Sequence, residues 1–201
     1  MVRKVDPSEL AHLLALHAQA LQPDGDERHY LKLPETDFSG MDLSGAEMTG
    51  AMLVGSRFDG AILRGCKLAM AELTGATFRD ADLTGARLRK ATLQHAVMTN
   101  AILRGVMAMR VELAHADLRG VDFTGADLSR AWFFRSDLRR AVFHGADLDE
   151  ARFGEALLAE ADLRGVRHAE KASFERIRVD PEGAATLDEE TMRAWIAQRI
   201  R

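Results

Sequence analysis

From Thr36 to Gly165 the chain divides into 26 consecutive pentapeptides with no slip of register. A small residue stands first in every unit except the one that begins with Met41. Leu, Phe or Met stands third in all but one, where Ala108 takes the place. The third positions hold 16 Leu, 7 Phe and 2 Met, and the first positions hold 18 Ala. A period of five fits neither the strand period of two nor the helix period of 3.6. It does fit one side of a polygonal coil, with two residues inward and a turn before the next side.

The phenylalanines count the sides. Phe38, Phe58 and Phe78 lie 20 apart, as do Phe123 with Phe143 and Phe133 with Phe153. Twenty residues therefore make one coil, and four pentapeptides make a square. Like then stacks on like, as neighbours do in a parallel sheet. At about 4.8 Å between strands, six and a half coils predict a rod roughly 31 Å long. Thirteen of the 16 glycines stand fifth in a unit, where a turn with positive φ suits them. They thin out after Gly65, so the later corners are expected to be less uniform.

Two flanking segments differ. Residues 1–35 contain Asp6-Pro7-Ser8-Glu9, an N-cap followed by Pro at the first helical position and Glu at the third. Leu10, Leu13, Leu14, His17 and Leu21 then share a helical face. Asp6, Glu9, His12 and His17 interrupt the apolar run, which favours a helix over a secretory leader. Residues 166–201 lose the count. Arg176–Val179 reads as a short strand, and Thr186 with Glu189 as a capping box. Leu187, Met192, Trp195, Ile196 and Ile200 give the last helix an apolar stripe. The expected organisation is an N-terminal helical cap (1–35), an all-β solenoid (36–165) and a C-terminal cap (166–201).

Ala81-Asp82-Leu83-Thr84-Gly85, repeated in kind as Ala116-Asp117-Leu118-Arg119-Gly120, resembles the pentapeptide repeat family. The resemblance implies a right-handed quadrilateral β-helix, a hand that agrees with the rule for parallel crossovers. Several members of that family protect DNA gyrase and topoisomerase IV from quinolones or peptide poisons. Their dimeric rods resemble DNA in size and acidity and join through C-terminal helices. By resemblance, the expected partner is a type II topoisomerase. The expected homodimer contact is Met192, Trp195, Ile196 and Ile200. The alternative is a scaffold or regulatory module with an unrelated protein partner.

Charge does not make the acidic case complete. The chain carries a net charge of −4, and residues 36–165 hold 18 acidic against 16 basic residues. Asp42, Asp82, Asp122 and Asp162 recur on one side but alternate with Ile62, Ile102 and Val142. Direct nucleic-acid binding is not expected from so mild a balance. Nor does the rod carry the interrupting loops of many quinolone-resistance members.

Decorations of the repeat are the candidate contacts. Trp132 and Phe134 flank the inward Phe133, so both should point outward and form a protein contact. Lys90, Arg110 and Arg130, 20 apart, should form a ladder near Arg87 and Arg89. Val106-Met107-Ala108-Met109-Arg110 is the weakest unit, where a sideways Met or a dent is expected. Cys66, the single cysteine, stands in an inward first position and suits a reducing, cytoplasmic setting. His95 and His115 share a column, too few ligands for a dedicated zinc site. A filled interior with no nucleophile elbow, phosphate loop or metal motif predicts no catalytic residues, no metal, no cofactor and no enzymatic activity.

Overall fold

The computed structural model describes residues 3–26, 30–180 and 187–200. The repeat is a solenoid that closes every 20 residues. Each second-position residue pairs in parallel with the residue 20 places on, from Lys32↔Met52 to Asp147↔Arg167. Only one such pair forms per side, so the sides are single bridges joined by turns rather than long strands. Between coils, the third and fifth N–H groups donate forward and the second donates backward. Gly45 N–H reaches the Arg64 carbonyl at 2.8 Å, and Ile62 N–H reaches the Met41 carbonyl at 2.9 Å. A polygon without continuous strands thereby keeps most of its second-, third- and fifth-position backbone donors satisfied.

Within a coil, the third-position carbonyl accepts from the next unit's first N–H, as in Ala46 to Leu43 at 3.0 Å. That turn places the fifth residue at positive φ. Glycine corners lie between +60° and +70°, and the thirteen non-glycine corners between +55° and +61°. The later corners are therefore as uniform as the early ones, contrary to the expectation from glycine content. Inter-coil hydrogen bonds on both sides of each corner impose one conformation whatever the side chain. L-residues held there carry backbone strain on the order of 1 kcal/mol each.

First- and third-position side chains fill the interior, all but the first-position Met41 and Ala46 within 36–165 being buried. Phe38, Phe58 and Phe78 stack with ring centroids 4.8 Å apart, and Phe133 lies 4.7 Å from Phe153. Beside Ala108, Met107 is exposed and Met109 half-buried. Buried Val106 and Val111 stand on either side, in first positions where alanine is usual. Together they add more carbon than the missing leucine would have supplied, which offsets the lost volume.

Both ends depart from the simple count. Leu31–Glu35 already forms one side, with Leu31 and Leu33 buried and Lys32 paired to Met52. Strand β1 (Arg3–Lys4) pairs in parallel with β2 (Thr36–Asp37), adding one further rung. Between them runs α1 (Pro7–Ala20), whose Asp6 side chain accepts from the Ser8 and Glu9 amides. Leu10 enters the core, and Leu13 and Leu14 pack against it. His17 is fully buried, its Nδ1 accepting from the Leu31 amide at 3.0 Å.

At the other end the coil does not stop where the motif fades. Ser173 pairs with Arg152 and Arg178 with Leu157, an offset of 21. His168 in the left-handed region and a 3₁₀ turn at Ala169–Lys171 absorb the extra residue. Phe174 then stacks on Phe153 at 4.8 Å, so the core continues. In place of the expected strand at Arg176–Val179, Arg176 forms another corner at φ +53° and Arg178 alone pairs, because the coil continues with single bridges joined by turns. Helix α2 (Glu189–Arg199) is capped by Asp188, which accepts from the Thr191 amide at 2.8 Å. Thr186, the expected cap, lies outside the described residues, and Asp188 beside the first helical residue supplies the capping carboxylate instead. The Ile200 carbonyl at the end of α2 accepts from Gly165 N–H at 3.1 Å, where elsewhere the next coil would stand.

Candidate functional site

The solenoid commits its inward residues to packing, so chemistry is confined to second, fourth and fifth positions. The fourth side, built from units beginning at Ala51, Ala71, Ala91, Val111, Ala131 and Ala151, carries the aromatic departures. Trp132 sits in register between Glu112 and Arg152 and is 38% exposed. Phe134, on the same unit, is half-buried because it folds over small neighbours. Ala114 beneath it is buried, and a Cβ added at Gly154 would lie 3.2 Å from the Phe134 ring.

These rings join the two histidines. Trp132 and Phe134 lie 6.0 Å apart and 19° from parallel. His115 meets Phe134 edge-on at 5.8 Å, and His95 stacks on His115 at 5.0 Å. The Arg135 guanidinium stands 4.9 Å over Phe134. The outcome is a strip of four rings climbing three coils along one edge. Sequence reasoning finds Trp132 and Phe134, and finds His95 with His115, but not their union. The signal is the 19-residue spacing of His115 and Phe134, the spacing of the inter-coil hydrogen bond between their own backbones, 2.8 Å. Such a strip offers a firm amphipathic surface for another protein's apolar or cationic groups.

The other candidates divide. On the second side the aspartates are drawn into ion pairs. Arg64 Nε meets Asp82 at 2.7 Å, Arg104 Nε meets Asp122 at 2.6 Å, and Arg164 binds Asp162 at 2.6 Å. At Asp82 and Asp122 burial opposes ionisation. The Thr84 or Thr124 hydroxyl and amide and the facing Arg outweigh it, holding both carboxyls below the usual range. Three of the four acids thus present neutralised pairs, and Asp42 accepts from the Ser44 amide at 3.0 Å.

On the third side, Arg130 is held by Glu150 through contacts of 2.8 and 3.1 Å, so the ladder of Lys90, Arg110 and Arg130 is broken at its last rung. Burial pushes the Cys66 thiol up to about 12, and its Sγ–H donates to the Ala46 carbonyl at 3.2 Å. It stays protonated, a packing residue rather than a nucleophile. Among the described residues no group of three His, Cys, Asp or Glu side chains is placed to hold a metal ion. No helix of the described residues is long and apolar enough to cross a membrane.

Met192, Trp195, Ile196 and Ile200 all lie half-buried against the core of their own chain. Arg199 lies over the Trp195 ring at 4.1 Å. Beside α2 opens a groove of about 1000 Å³ lined in part by Phe174, Leu187, Met192 and Ile196.

Comparison with known proteins agrees with this architecture. No curated protein matches the sequence. Among solved structures, a trypsin-treated form of QnrB1, a plasmid-mediated fluoroquinolone resistance protein, aligns with a TM-score of 0.59 at 16% identity, covering 85% of this chain and 90% of that one. HetL, a pentapeptide repeat protein involved in heterocyst differentiation regulation in Nostoc sp. strain PCC 7120, aligns at 25% identity over 90% of this chain and 99% of that one, with a TM-score of 0.29. A thylakoid-lumen pentapeptide repeat protein of Arabidopsis thaliana aligns at 23% identity over 80% of this chain and 77% of that one, with a TM-score of 0.20. The first likeness speaks to the fold alone. The pentapeptide repeats family matches in eight copies, over residues 32–69, 71–106, 110–140 and 136–167. With most of its length in that match and a coil that closes every fourth unit, the chain belongs to the pentapeptide repeat family.

Proposed function

We propose that this chain is a right-handed, helix-capped rod that works without catalysis, by holding another protein against its fourth side. One observation carries the reading: Trp132 and Phe134 form an outward aromatic pair, 6.0 Å apart, on a solenoid whose third-position phenylalanines are all buried. Exposed aromatics on a rigid surface lose little freedom on binding and commonly anchor interfaces. Replacing both with serine should leave the circular dichroism unchanged and abolish capture of the partner from lysate. Undiminished capture by the double variant sinks the assignment.

A narrower form of the proposal names the partner as a type II topoisomerase in the cytoplasm and the outcome as resistance to a topoisomerase poison. It is supported by the family resemblance and by rod dimensions near those of duplex DNA, rather than by an acidic surface. The second side's aspartates are largely paired with arginine. Homodimerisation through Met192, Trp195, Ile196 and Ile200 belongs to this form, supported by the apolar surface these half-buried residues retain. Gyrase supercoiling with and without a fluoroquinolone tests the narrower form. Purified protein that changes neither supercoiling nor poisoning refutes it, while leaving the aromatic contact standing. Light scattering tests the dimer, and a monomer at working concentration removes it.

A further inference from the structure

The third side carries a second surface, distinct from the aromatic strip. Its units stack in register as 46–50, 66–70, 86–90, 106–110, 126–130 and 146–150. Three consecutive units, Cys66-Lys67-Leu68-Ala69-Met70, Ala86-Arg87-Leu88-Arg89-Lys90 and Val106-Met107-Ala108-Met109-Arg110, contain no acidic residue. Within 36–165, no other side stacks even two acid-free units in succession. On the second side, for instance, each acid-free unit alternates with one bearing Asp.

The consequence is unbalanced charge. Arg64, Arg79, Arg104, Arg119, Arg135 and Arg164 all meet a carboxylate on their own or a neighbouring coil. Among the described residues, Arg87, Arg89, Lys90 and Arg110 have no carboxylate within ion-pairing distance, and all four are exposed. Lys67 and Arg130 close the block above and below, each already held by its own glutamate, Glu47 at 3.0 Å and Glu150 at 2.8 Å. Backbone bonds fix the four free cations on adjacent rungs: Lys90 N–H reaches the Met109 carbonyl at 3.0 Å, and Arg87 pairs with Met107.

Methionines are set among these charges. Met70 is 56% exposed, Met107 is 44% exposed and Met109 is half-buried. Ala108 beneath them is the one third position that holds neither Leu, Phe nor Met. Stacked like charges repel, and exposed methionines gain nothing from water, so the block is unfavourable until something covers it. Phosphate alone would satisfy the cations but not the methionines, and the block holds no aromatic ring on which a base could stack. Flexible thioethers beside arginine suit a protein surface.

We infer that Arg87, Arg89, Lys90 and Arg110, with Met70, Met107 and Met109, form a docking site for a short acidic, amphipathic segment of a partner protein. Carboxylates complement the four cations, and apolar side chains of the segment cover the methionines. The site spans three coils, on the order of 10 Å along the axis, enough for about two turns of helix. It is independent of the aromatic strip and stands or falls separately from it.

The test uses the full chain and a fluorescent peptide of Glu and Leu in helical spacing, read by anisotropy. Wild type should bind it, more weakly as salt rises. Arg87→Glu/Arg110→Glu should weaken binding about tenfold or more. Met107→Ser/Met109→Ser should weaken it several-fold at unchanged salt dependence. Lys32→Glu/Arg57→Glu, an equal charge change on other sides, should alter it less than about twofold. All substitutions are at exposed or half-exposed positions, and circular dichroism verifies the fold of each. Absence of peptide binding, or equal loss in the two charge-reversal variants, overturns the site. Random-sequence duplex DNA that binds more tightly than the peptide, and loses affinity in Arg87→Glu/Arg110→Glu, overturns the protein partner in favour of a phosphate backbone.

Discussion

Replacing Gly85 with alanine should destabilise the solenoid by about 0.5–1 kcal/mol, for a reason confined to the backbone. Gly85 lies at φ +66°, and a Cβ added there would meet nothing within 4 Å. No clash and no packing therefore enter the balance. An L-residue in the left-handed region costs roughly 1–2 kcal/mol, while alanine restricts the unfolded chain and returns about 0.4–1 kcal/mol. The mirror change is Met70→Gly, at φ +58° with its side chain largely in solvent. It should stabilise by a similar amount. For a chain of this size the shift in melting temperature is roughly 1–4 °C in each direction. Thermal and urea unfolding followed by circular dichroism read both. If Gly85→Ala and Met70→Gly are both neutral, the corners are not strained, and the reasoning from positive φ fails.

Three further outcomes follow from particular contacts. Burial is the chief influence that depresses the His17 imidazole below its ordinary value of 6.5, while Glu47 and the Thr49 backbone pull the other way. The unfolded chain then binds more protons than the folded one, so stability is lost as pH falls from about 6.5 towards the lower folded value. Amide exchange at Leu31 should quicken in that window beyond its intrinsic change. His17→Asn keeps an acceptor for the Leu31 amide and should remove the effect. Ala108→Leu should destabilise by about 1–3 kcal/mol through overpacking, and adding Val106→Ala should restore most of the loss. Stabilisation by Ala108→Leu alone, measured by urea unfolding, would show that the valines do not fill the space. Gly154→Ala should displace the Phe134 ring, shifting Trp132 fluorescence with little change in melting temperature. An unchanged spectrum would dissociate the ring from its neighbour.

Much of this architecture is legible as arithmetic. Phe38, Phe58 and Phe78 announce the four-sided coil before any contact is known, because stacked sides put like residues together. Asp6 and Pro7 likewise announce the start of α1. What escapes the count is whatever changes it. Phe174 belongs to the column of Phe133 and Phe153, yet it stands 21 residues on, because the 3₁₀ turn at Ala169–Lys171 absorbs one residue. The corners misled for another reason: a local preference for glycine was overridden by inter-coil hydrogen bonds, which hold Lys90 and Glu150 at the same positive φ as their neighbours.

The surface was less readable than the core. Trp132 and Phe134 stand out because they are aromatic at outward positions. The strip they form with His95 and His115 requires joining a fifth position to a fourth position one coil later. The second side's acids read as a row, but Arg64 and Arg104 reach across 18 residues to neutralise Asp82 and Asp122. Side-chain length, invisible to a count of five, decides which charges remain free.

A hydrogen-exchange footprint on the complex tests the central claim most directly. With the captured partner bound, the fourth side should slow its exchange at Glu112–His115 and Trp132–Arg135, where the aromatic strip crosses from one coil to the next, with the second side unchanged. Protection confined to the second side, or none on the fourth, would contradict the assignment of that strip as the protein-binding surface.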